Sequence, residues 1–351
     1  MLWLSLCIVL VFSMVLLGGA VRLTGSGLSM VDWNPIMGII PPIGEQAWLA
    51  VFAQYKAFPE YQLVNKGMSL EAFKFIFLME YAHRVLGRVI GLVFFLPFMF
   101  FLLKGGLSGA LKSRLWTLLL LGAVQGGIGW YMVKSGLVDD PSVSQYRLAL
   151  HLLTAVLIFV LMVRVVTGLL PRWNYSAVRE ADHLGKAMIA LVLVMIGSGA
   201  FVAGTHAGFI YNTFPKMGDS FVPAQAFIMS PWWRNLFDNP VGIQLTHRIL
   251  ALVVFFGVSL YALRIWRDPR EVRPGGFAIA IEFALCLQLA IGITTLLHQV
   301  PVALGVAHQG GALLLIGVLV LVVSTRLPLL YDAGNAPGVT TGRLNPENTG
   351  R

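Results

Sequence analysis

Four of the seven histidines, His83, His151, His247 and His308, lie near the same end of four long apolar stretches of the sequence. Ionisable residues inside a membrane span are costly and usually functional. Two imidazoles that face each other across a helical bundle can occupy both axial positions of a haem iron. The spacing therefore predicts two haem sites, one for each successive pair of histidines.

A small residue follows each of these histidines after one helical turn. The four residues are Gly87, Ala155, Ala251 and Ala312. Small side chains would leave room for a flat macrocycle beside its ligands. They also allow two helices to pack closely in lipid, which is the alternative interpretation. The pairing of the histidines favours the haem interpretation.

Two of the histidines are followed directly by an arginine, and two further arginines are nearby. These residues are Arg84, Arg248, Arg22 and Arg88. Each could pair with a haem propionate through charge-assisted hydrogen bonds. The alternative is that the guanidinium groups extend to the lipid headgroups.

Glu80 precedes His83 by three residues and shares its helical face, whereas the matching residue before His247 is the neutral Gln244. A carboxylate can carry protons or stabilise a developing positive charge, and an amide can only form hydrogen bonds. The difference predicts chemistry in the N-terminal half and structural or electron-transfer haem binding in the C-terminal half. The alternative is an interfacial Glu80 paired with a neighbouring arginine, Arg84 or Arg88.

The remaining histidines give weaker signals. His206 and His298 are expected to be solvated at the membrane interface. The alternative is that they contact the residues that ligate iron, or that they bind a metal ion themselves. His183 is expected in a cytoplasmic loop beside Asp182.

Membrane helices must position these side chains. Hydrophobic residues make up 57% of the 351 residues and charged residues 12%, whereas soluble domains carry about 25% charged residues. The solid apolar stretches also exclude a transmembrane β-barrel, in which apolar and polar residues alternate. A spanning helix needs about 20 apolar residues. The predicted spans are roughly 2–22, 73–103, 115–133, 147–170, 185–204, 242–264, 276–297 and 303–326.

The distribution of cations predicts the topology. More than half of the 25 Lys and Arg residues lie in or near the short connections after the even-numbered spans or the C-terminus. By the positive-inside rule both termini are cytoplasmic, and the long connections 23–72 and 205–241 face outward. Because the net charge of +9 has this explanation, nucleic acid binding is not predicted.

The sequence contains an internal repeat. Gly19–Ala20 aligns with Gly199–Ala200, Glu80–Arg84 aligns with Gln244–Arg248, and the His151 span aligns with the His308 span. Since each repeat has four spans, both halves enter the membrane from the same side. The predicted fold is an all-α polytopic membrane protein whose eight transmembrane helices form two pseudo-twofold-related four-helix bundles.

The repeat also predicts a division of the chain. The N-terminal half, at 1–170, would hold a substrate haem and the chemistry, and the C-terminal half, at 185–328, a cofactor haem. A cytoplasmic linker is predicted at 171–184 and a disordered cytoplasmic tail at 329–351.

With these motifs the sequence resembles the haem A synthase family over nearly all of residues 1–328. The resemblance is carried by Gly18–Ser29, Asp32–Pro35, Pro41–Pro42, Glu80–Arg84, the His151 span, Gln244–Arg248 and Ala307–Gly310. Many members carry a cysteine pair in the first outer connection. Residues 23–72 contain no cysteine, so the chain resembles the branch without that pair.

The resemblance implies an oxidoreductase that oxidises the C8 methyl group of haem O to a formyl group, which makes haem A for cytochrome c oxidase. It implies that His83 and His151 flank the substrate haem, that Glu80 takes part in catalysis, and that His247 and His308 ligate a haem b (iron protoporphyrin IX) cofactor.

The resemblance also implies a setting for the protein. The expected location is the bacterial inner membrane, with the histidine sites toward the periplasm. A haem O synthase is the expected donor of the substrate, and the product would serve assembly of cytochrome c oxidase. A homo-oligomer in the lipid bilayer is compatible with the sequence.

Two other classes of protein fit part of the pattern. A di-haem electron-transfer protein of the cytochrome b561 kind also needs four intramembrane histidines, but it does not need a carboxylate in one half only. A transporter with two parallel repeats would have broken helices at the membrane midplane, whereas these histidines are predicted near the outer edge.

Reporter fusions test the topology. A fusion after residue 108 should report a cytoplasmic location, and fusions near residues 60 and 220 should report the opposite side. The reverse pattern would place the histidines toward the cytoplasm and contradict the predicted sites.

Overall fold

The computed structural model describes residues 1–31, 40–136, 143–170, 182–268 and 274–326. The named secondary-structure elements in these ranges are all helices. The α-helices of these ranges are α1 (Leu2–Leu23), α2 (Glu45–Lys56), α3 (Pro59–Leu63), α4 (Leu70–Leu103), α5 (Gly109–Gly136), α6 (Gln145–Leu169), α7 (His183–Gly204), α8 (Pro240–Trp266), α9 (Pro274–Leu297) and α10 (Val302–Arg326). Short 3-10 helices follow α7 at Ala207–Phe209, Ala224–Phe227 and Trp232–Leu236.

Eight of the helices in these ranges are long and apolar enough to cross a membrane, namely α1 and α4 to α10. The prediction of eight spans is therefore confirmed for the part of the chain that the structure describes. Helices α2 and α3 lie in the first long connection, between α1 and α4, and the 3-10 helices lie in the second, between α7 and α8.

Several helices extend beyond the predicted spans. Helix α4 begins at Leu70, where the Ser69 side chain caps it, and α5 is longer at both ends than the predicted 115–133. These extra turns are more polar than the spans, so an apolar stretch does not reveal them. The predicted tail lies outside the described residues, as does most of the predicted linker.

His183 is the first residue of α7 rather than part of a loop. The helix starts there because the Asp182 carboxylate accepts a hydrogen bond of 2.9 Å from the Gly185 backbone N–H. The second Asp182 oxygen accepts from Tyr261 at 2.6 Å, which fixes the start of α7 against α8.

Packing between the helices follows the repeat. Helix α1 packs on α4 as α7 packs on α8, and α5 packs on α6 as α9 packs on α10. The two halves meet mainly through α1 with α10, α6 with α7 and α6 with α10. One difference stands out: α8 packs along α9, whereas α4 and α5 touch over a much shorter stretch.

Glycines allow the first and last spans to pack closely. A Cβ atom at Gly305 would lie 2.6 Å from a methyl group of Leu23, and one at Gly310 would lie 2.8 Å from Leu16. Gln309 donates a 2.7 Å hydrogen bond to the Val15 carbonyl oxygen across the same seam. Small residues and interhelical hydrogen bonds are the usual means of association between helices in lipid.

The two long connections form packed structures. In the first, Phe52 and Tyr55 of α2 stack on Phe73 at the start of α4. In the second, the fully buried Asn235 donates to the carbonyl oxygens of Met229 and Trp232 at 3.0 and 2.8 Å. Both connections are therefore held in place above the helix ends that they join.

Gly242 offers a test of this packing. A Cβ atom there would collide with the backbone oxygens of Asn235 and Ala226, which cannot move without disturbing the second connection. Gly242→Ala should lower the free energy of unfolding by about 1–3 kcal/mol, as overpacking generally does, measured by unfolding in detergent.

Gly276→Ala is the matched control, because Gly276 is also the third residue of a helix that begins with proline. No atom lies within 4 Å of a Cβ at Gly276. The control should be neutral or slightly stabilising. Equal stability of the two variants would contradict the packing described for the second connection.

Candidate functional site

The structure brings the four histidines together as two pairs. His83 of α4 and His151 of α6 are close enough to interact electrostatically, and so are His247 of α8 and His308 of α10. All four side chains are partly buried, so each keeps some surface that no protein atom covers. The pairs are those that the repeat predicts.

Each imidazole packs against a glycine of a neighbouring helix. A Cβ atom on the glycine would lie between 2.6 and 3.4 Å from the ring, so a larger residue would displace the imidazole. The contacts are Gly18 with His83, Gly129 with His151, Gly199 with His247, and Gly292 with His308.

Sequence reasoning missed these glycines, although a signal for them existed. Gly129 and Gly292 follow Gln125 and Gln288 at the same spacing in the two repeats. The small residues that were predicted to make room have a different environment. Gly87 packs against the Met14 methyl group, and the alanines at 155 and 312 pack on the central hydrophobic cluster. These positions support the alternative of close helix packing.

The C-terminal pair has a hydrogen-bond partner at each Nδ1 atom. The Ser198 hydroxyl lies 2.7 Å from Nδ1 of His247, and the Gln288 amide lies 3.2 Å from Nδ1 of His308. Partners of this kind orient imidazoles that ligate metals.

The N-terminal pair lacks this arrangement. His151 Nδ1 is buried without a hydrogen-bond partner among the described residues. Gln125 instead lies 3.4 Å from His151 Nε2 and donates a 3.1 Å hydrogen bond to the His151 carbonyl oxygen. The two pairs therefore differ in how firmly the protein holds their rings.

Glu80 forms a buried ion pair. The Arg84 guanidinium donates to Oε1 through Nε at 3.0 Å and Nη2 at 2.5 Å. Oε2 accepts from the Ser29 hydroxyl at 2.8 Å and from the Met30 backbone N–H at 2.7 Å. Glu80 is 3% exposed. The carboxylate is thus fixed one turn from His83 and ties α4 to the first long connection.

Gln244 and Arg248 occupy the matching positions in the C-terminal half, where the neutral amide cannot form an ion pair. Both donate to the Tyr211 carbonyl oxygen, at 3.1 and 2.9 Å. Arg248 also donates to the Lys216 carbonyl oxygen at 3.2 Å. Glu80 and Arg84 in one half, and Gln244 and Arg248 in the other, therefore bind the backbone of the long connection that precedes their helix. Only the N-terminal half has a carboxylate at the first of these two positions.

Arg22 links the two halves. Its Nη2 donates to the Ala203 carbonyl oxygen at the end of α7, at 3.1 Å, and lies 3.3 Å from His206 Nε2. A cation at a helix C-terminus interacts favourably with the helix dipole. Burial and the positive charge of Arg22 lower the pKa of His206.

His206 and His298 do not form a metal site. His298 Nδ1 lies 2.9 Å from the Thr294 carbonyl oxygen, and His206 faces Arg22. Within the described ranges no group of three or more His, Cys, Asp or Glu residues could hold a metal ion. The metal-site alternative for these two residues therefore has no support.

The residues around the two pairs fit a haem. Buried polar atoms without a partner are rare in proteins and costly, yet several lie at or beside the pairs. Among the described residues they include His151 Nδ1, Gln125 Oε1, Gln244 Oε1, Gln288 Oε1, Arg22 Nε and Arg248 Nε. Paired imidazoles could ligate iron, and the guanidinium groups, with the partly buried Arg88, could meet propionates.

A second carboxyl group lies in the first long connection. Glu60 of α3 is 7% exposed and accepts a 3.2 Å hydrogen bond from the Tyr55 hydroxyl, which in turn accepts from Asn65 at 2.8 Å. Burial raises the pKa of Glu60 from 4.5 to about 7, and the negative charge of Glu80 adds to this effect, while the hydrogen bond from Tyr55 opposes it.

Comparison with known proteins agrees with this geometry. Residues 1–320 match the family model COX15-CtaA, described as cytochrome oxidase assembly protein. A protein of Nitrosospira multiformis named heme A synthase is 47% identical over 321 residues, which cover 89% of each chain. Proteins with the same name from Rhodospirillum centenum and Brucella anthropi are 46% and 44% identical, over 91% and 90% of this chain and 86% and 88% of theirs.

Glu60 predicts a specific dependence of stability on pH. Because its pKa is raised in the folded state, its contribution to stability is complete below about pH 4.5 and is lost as the pH rises through about 7. The wild-type protein should lose up to about 3 kcal/mol over this range, and Glu60→Gln should abolish that part of the loss. Thermal unfolding in detergent at several pH values measures it.

Glu45→Gln is the control, because Glu45 is exposed on α2. This variant should keep the wild-type pH dependence. If Glu60→Gln also kept it, another group would be responsible for the titration.

Proposed function

The chain belongs to the COX15-CtaA family of cytochrome oxidase assembly proteins, and we propose that it is a haem A synthase. The reaction is the oxidation of the C8 methyl group of haem O to a formyl group, which yields haem A. The enzyme is a multi-pass membrane oxidoreductase. The family and relatives give no support to an electron-transfer cytochrome of the b561 kind.

One observation carries the assignment of roles. Two repeat-related histidine pairs lie at equivalent places, and the residue one helical turn before the first histidine of each pair is the acidic Glu80 in one half and the neutral Gln244 in the other. An enzyme that oxidises one haem with the help of another needs one reactive site and one inert site. The asymmetry supplies both.

The C-terminal half is the cofactor site of this proposal. His247 and His308 would ligate haem b, and Arg248 is placed for a propionate. A bis-histidine haem b supplies one-electron transfer when bound. The protein's own contribution is to fix both imidazoles, through Ser198 and Gln288.

The N-terminal half is the substrate site. His83 and His151 would flank haem O, and Gly18 and Gly129 keep the space beside their rings clear. Arg22 and Arg88 would meet the propionates. The shorter contact between α4 and α5 leaves this half more open than its counterpart, which suits a molecule that enters and leaves.

Glu80 would act at the edge of the substrate. Conversion of a methyl to a formyl group takes two successive two-electron oxidations to a geminal diol, which then loses water. An external oxidant takes the four electrons, and water or dioxygen supplies the oxygen. Positive charge develops on the substrate as electrons leave, and a fixed carboxylate stabilises it. Arg84, Ser29 and the Met30 N–H hold that carboxylate in place.

The setting follows from the same proposal. We place the protein in the bacterial inner membrane with the histidine pairs toward the periplasmic side, because the cations favour that orientation. The substrate would come from a haem O synthase, and the product would go to cytochrome c oxidase during its assembly.

Substitution of Glu80 tests the function. In cells that supply haem O, Glu80→Gln should lower haem A formation by about 10²–10⁴-fold, the typical contribution of a positioned acid or base. Haem b in the C-terminal half should remain, since that site is separate. Haem chromatography of the purified protein measures both, and a hydroxylated intermediate is expected to accumulate.

Glu71→Gln, at an exposed position of the same helix, is the matched control and should behave like the wild type. Gln244→Glu should not create a second reactive half. Near-normal haem A from Glu80→Gln, at equal protein and haem b content, would show that Glu80 only pairs with Arg84.

A further inference from the structure

We propose that Ser198 and its repeat counterpart Gly18 decide which of the two haems stays in the protein and which one leaves. This inference rests on the proposed function, because it concerns how the two halves hold their haems. Ser198 acts on His247 as a positioning residue, and Gly18 leaves His83 without the equivalent support.

The direction of the hydrogen bonds at Ser198 follows from its two contacts. Its hydroxyl oxygen lies 2.8 Å from the Met195 carbonyl oxygen and 2.7 Å from His247 Nδ1. A hydroxyl has one proton to donate and the carbonyl can only accept, so the proton goes to Met195. The Ser198 oxygen then accepts from Nδ1–H of His247.

This direction selects one tautomer of the ring. When Nδ1 carries the proton, the lone pair of Nε2 is free to bind iron. The hydrogen bond also fixes the plane of the imidazole and makes it a stronger donor to the metal. Ser198 therefore prepares His247 as an iron ligand before any haem arrives.

Gln288 does the same for His308. Its amide lies 3.2 Å from Nδ1, and its Oε1 atom is buried without a partner among the described residues. Turning the amide over, a change that leaves the shape of the side chain the same, places Oε1 at Nδ1–H and frees Nε2 for iron. Both ligands of the C-terminal pair then have the same support.

Neither histidine of the N-terminal pair has a hydrogen-bond partner of this kind at Nδ1. Gly18 occupies the place of Ser198, and a Cβ there would lie 3.1 Å from His83 Nε2 and 3.6 Å from Cδ2, so the ring fills the space that a side chain would need. A half-turn of the ring, which leaves its shape the same, places Nδ1 at the 3.6 Å position and frees Nε2 for iron. Glycine offers that Nδ1 no hydroxyl. No described residue forms a hydrogen bond with the His83 ring. His151 Nδ1 is unpartnered, because Gln125 donates to the His151 backbone instead.

The difference matches what the two sites must do. Loss of a partner behind a metal-bound histidine typically costs about 10–100-fold in metal affinity. A cofactor must survive many turnovers, so its ligands gain from the support. A substrate must bind, react and leave, so ligands without that support release the product more readily.

Replacement of Ser198 tests the cofactor side, using the full-length protein in detergent. Ser198→Ala should weaken haem b binding to the depleted protein by about 10–100-fold. It should also raise the midpoint potential of the bound haem, because a weaker imidazole donor stabilises ferric iron less. Ser198→Thr keeps the hydroxyl and should restore both quantities.

Thr117→Val is the matched control, since the Thr117 hydroxyl also bonds to its own helix, at the Ser113 carbonyl oxygen, and touches no histidine. It should change neither affinity nor potential. If Ser198→Ala also left both unchanged, the role of Ser198 would be overturned. If instead His247→Ala kept its haem b, the site assignment of the proposed function would fail.

Replacement of Gly18 tests the substrate side. Gly18→Ser and Gly18→Ala add the same Cβ, so His83 must shift by a few tenths of an ångström in both, but only serine adds a hydroxyl. We expect Gly18→Ser to retain more haem O and haem A after purification than Gly18→Ala. Equal retention, with normal haem b content as the measure of folding, would overturn the role of Gly18.

Discussion

The cost of placing an imidazole inside a membrane governs the organisation of this protein. A polar ring nitrogen in lipid must have a partner, and in this chain the partner is a hydroxyl, an amide or a ligand that the histidine pairs are shaped to receive. The glycines against each ring, the arginines beside them and the packed long connections all serve that requirement. The eight spans supply the helices that carry the histidines and their partners.

The repeat explains how one fold would hold the two haems of the proposed function for different purposes. Its two halves share the helix order, the histidines and the way in which a long connection is held. They differ at a few positions close to the rings: glutamate against glutamine, and glycine against serine. Small changes of this kind alter charge and hydrogen bonding while the helix packing stays the same, so function can diverge without loss of stability.

Apolar length was sufficient to predict the eight spans, because a span depends on local composition, and the repeat predicted the pairing of the histidines, because two similar sequences fold alike. The contacts of Arg22 with the end of α7 could not be predicted, since they join residues far apart in sequence whose approach is set by tertiary packing. The same holds for Gly18, whose contact with His83 depends on how α1 packs against α4. The pairing of Glu80 with Arg84 was foreseen only as one of two alternatives, because helical spacing permits it without requiring it.

The seam between α1 and α10 has a consequence for biosynthesis. The hydrogen bond from Gln309 to Val15 joins residues 294 positions apart, so the first span to enter the membrane finishes its packing only when the last one is made. Until then the α1 surface that receives Gln309 and Gly310 lacks this partner. Packing of the two halves against each other is therefore completed late in synthesis. A nascent chain interrupted before α10 lacks the helix that packs against both halves.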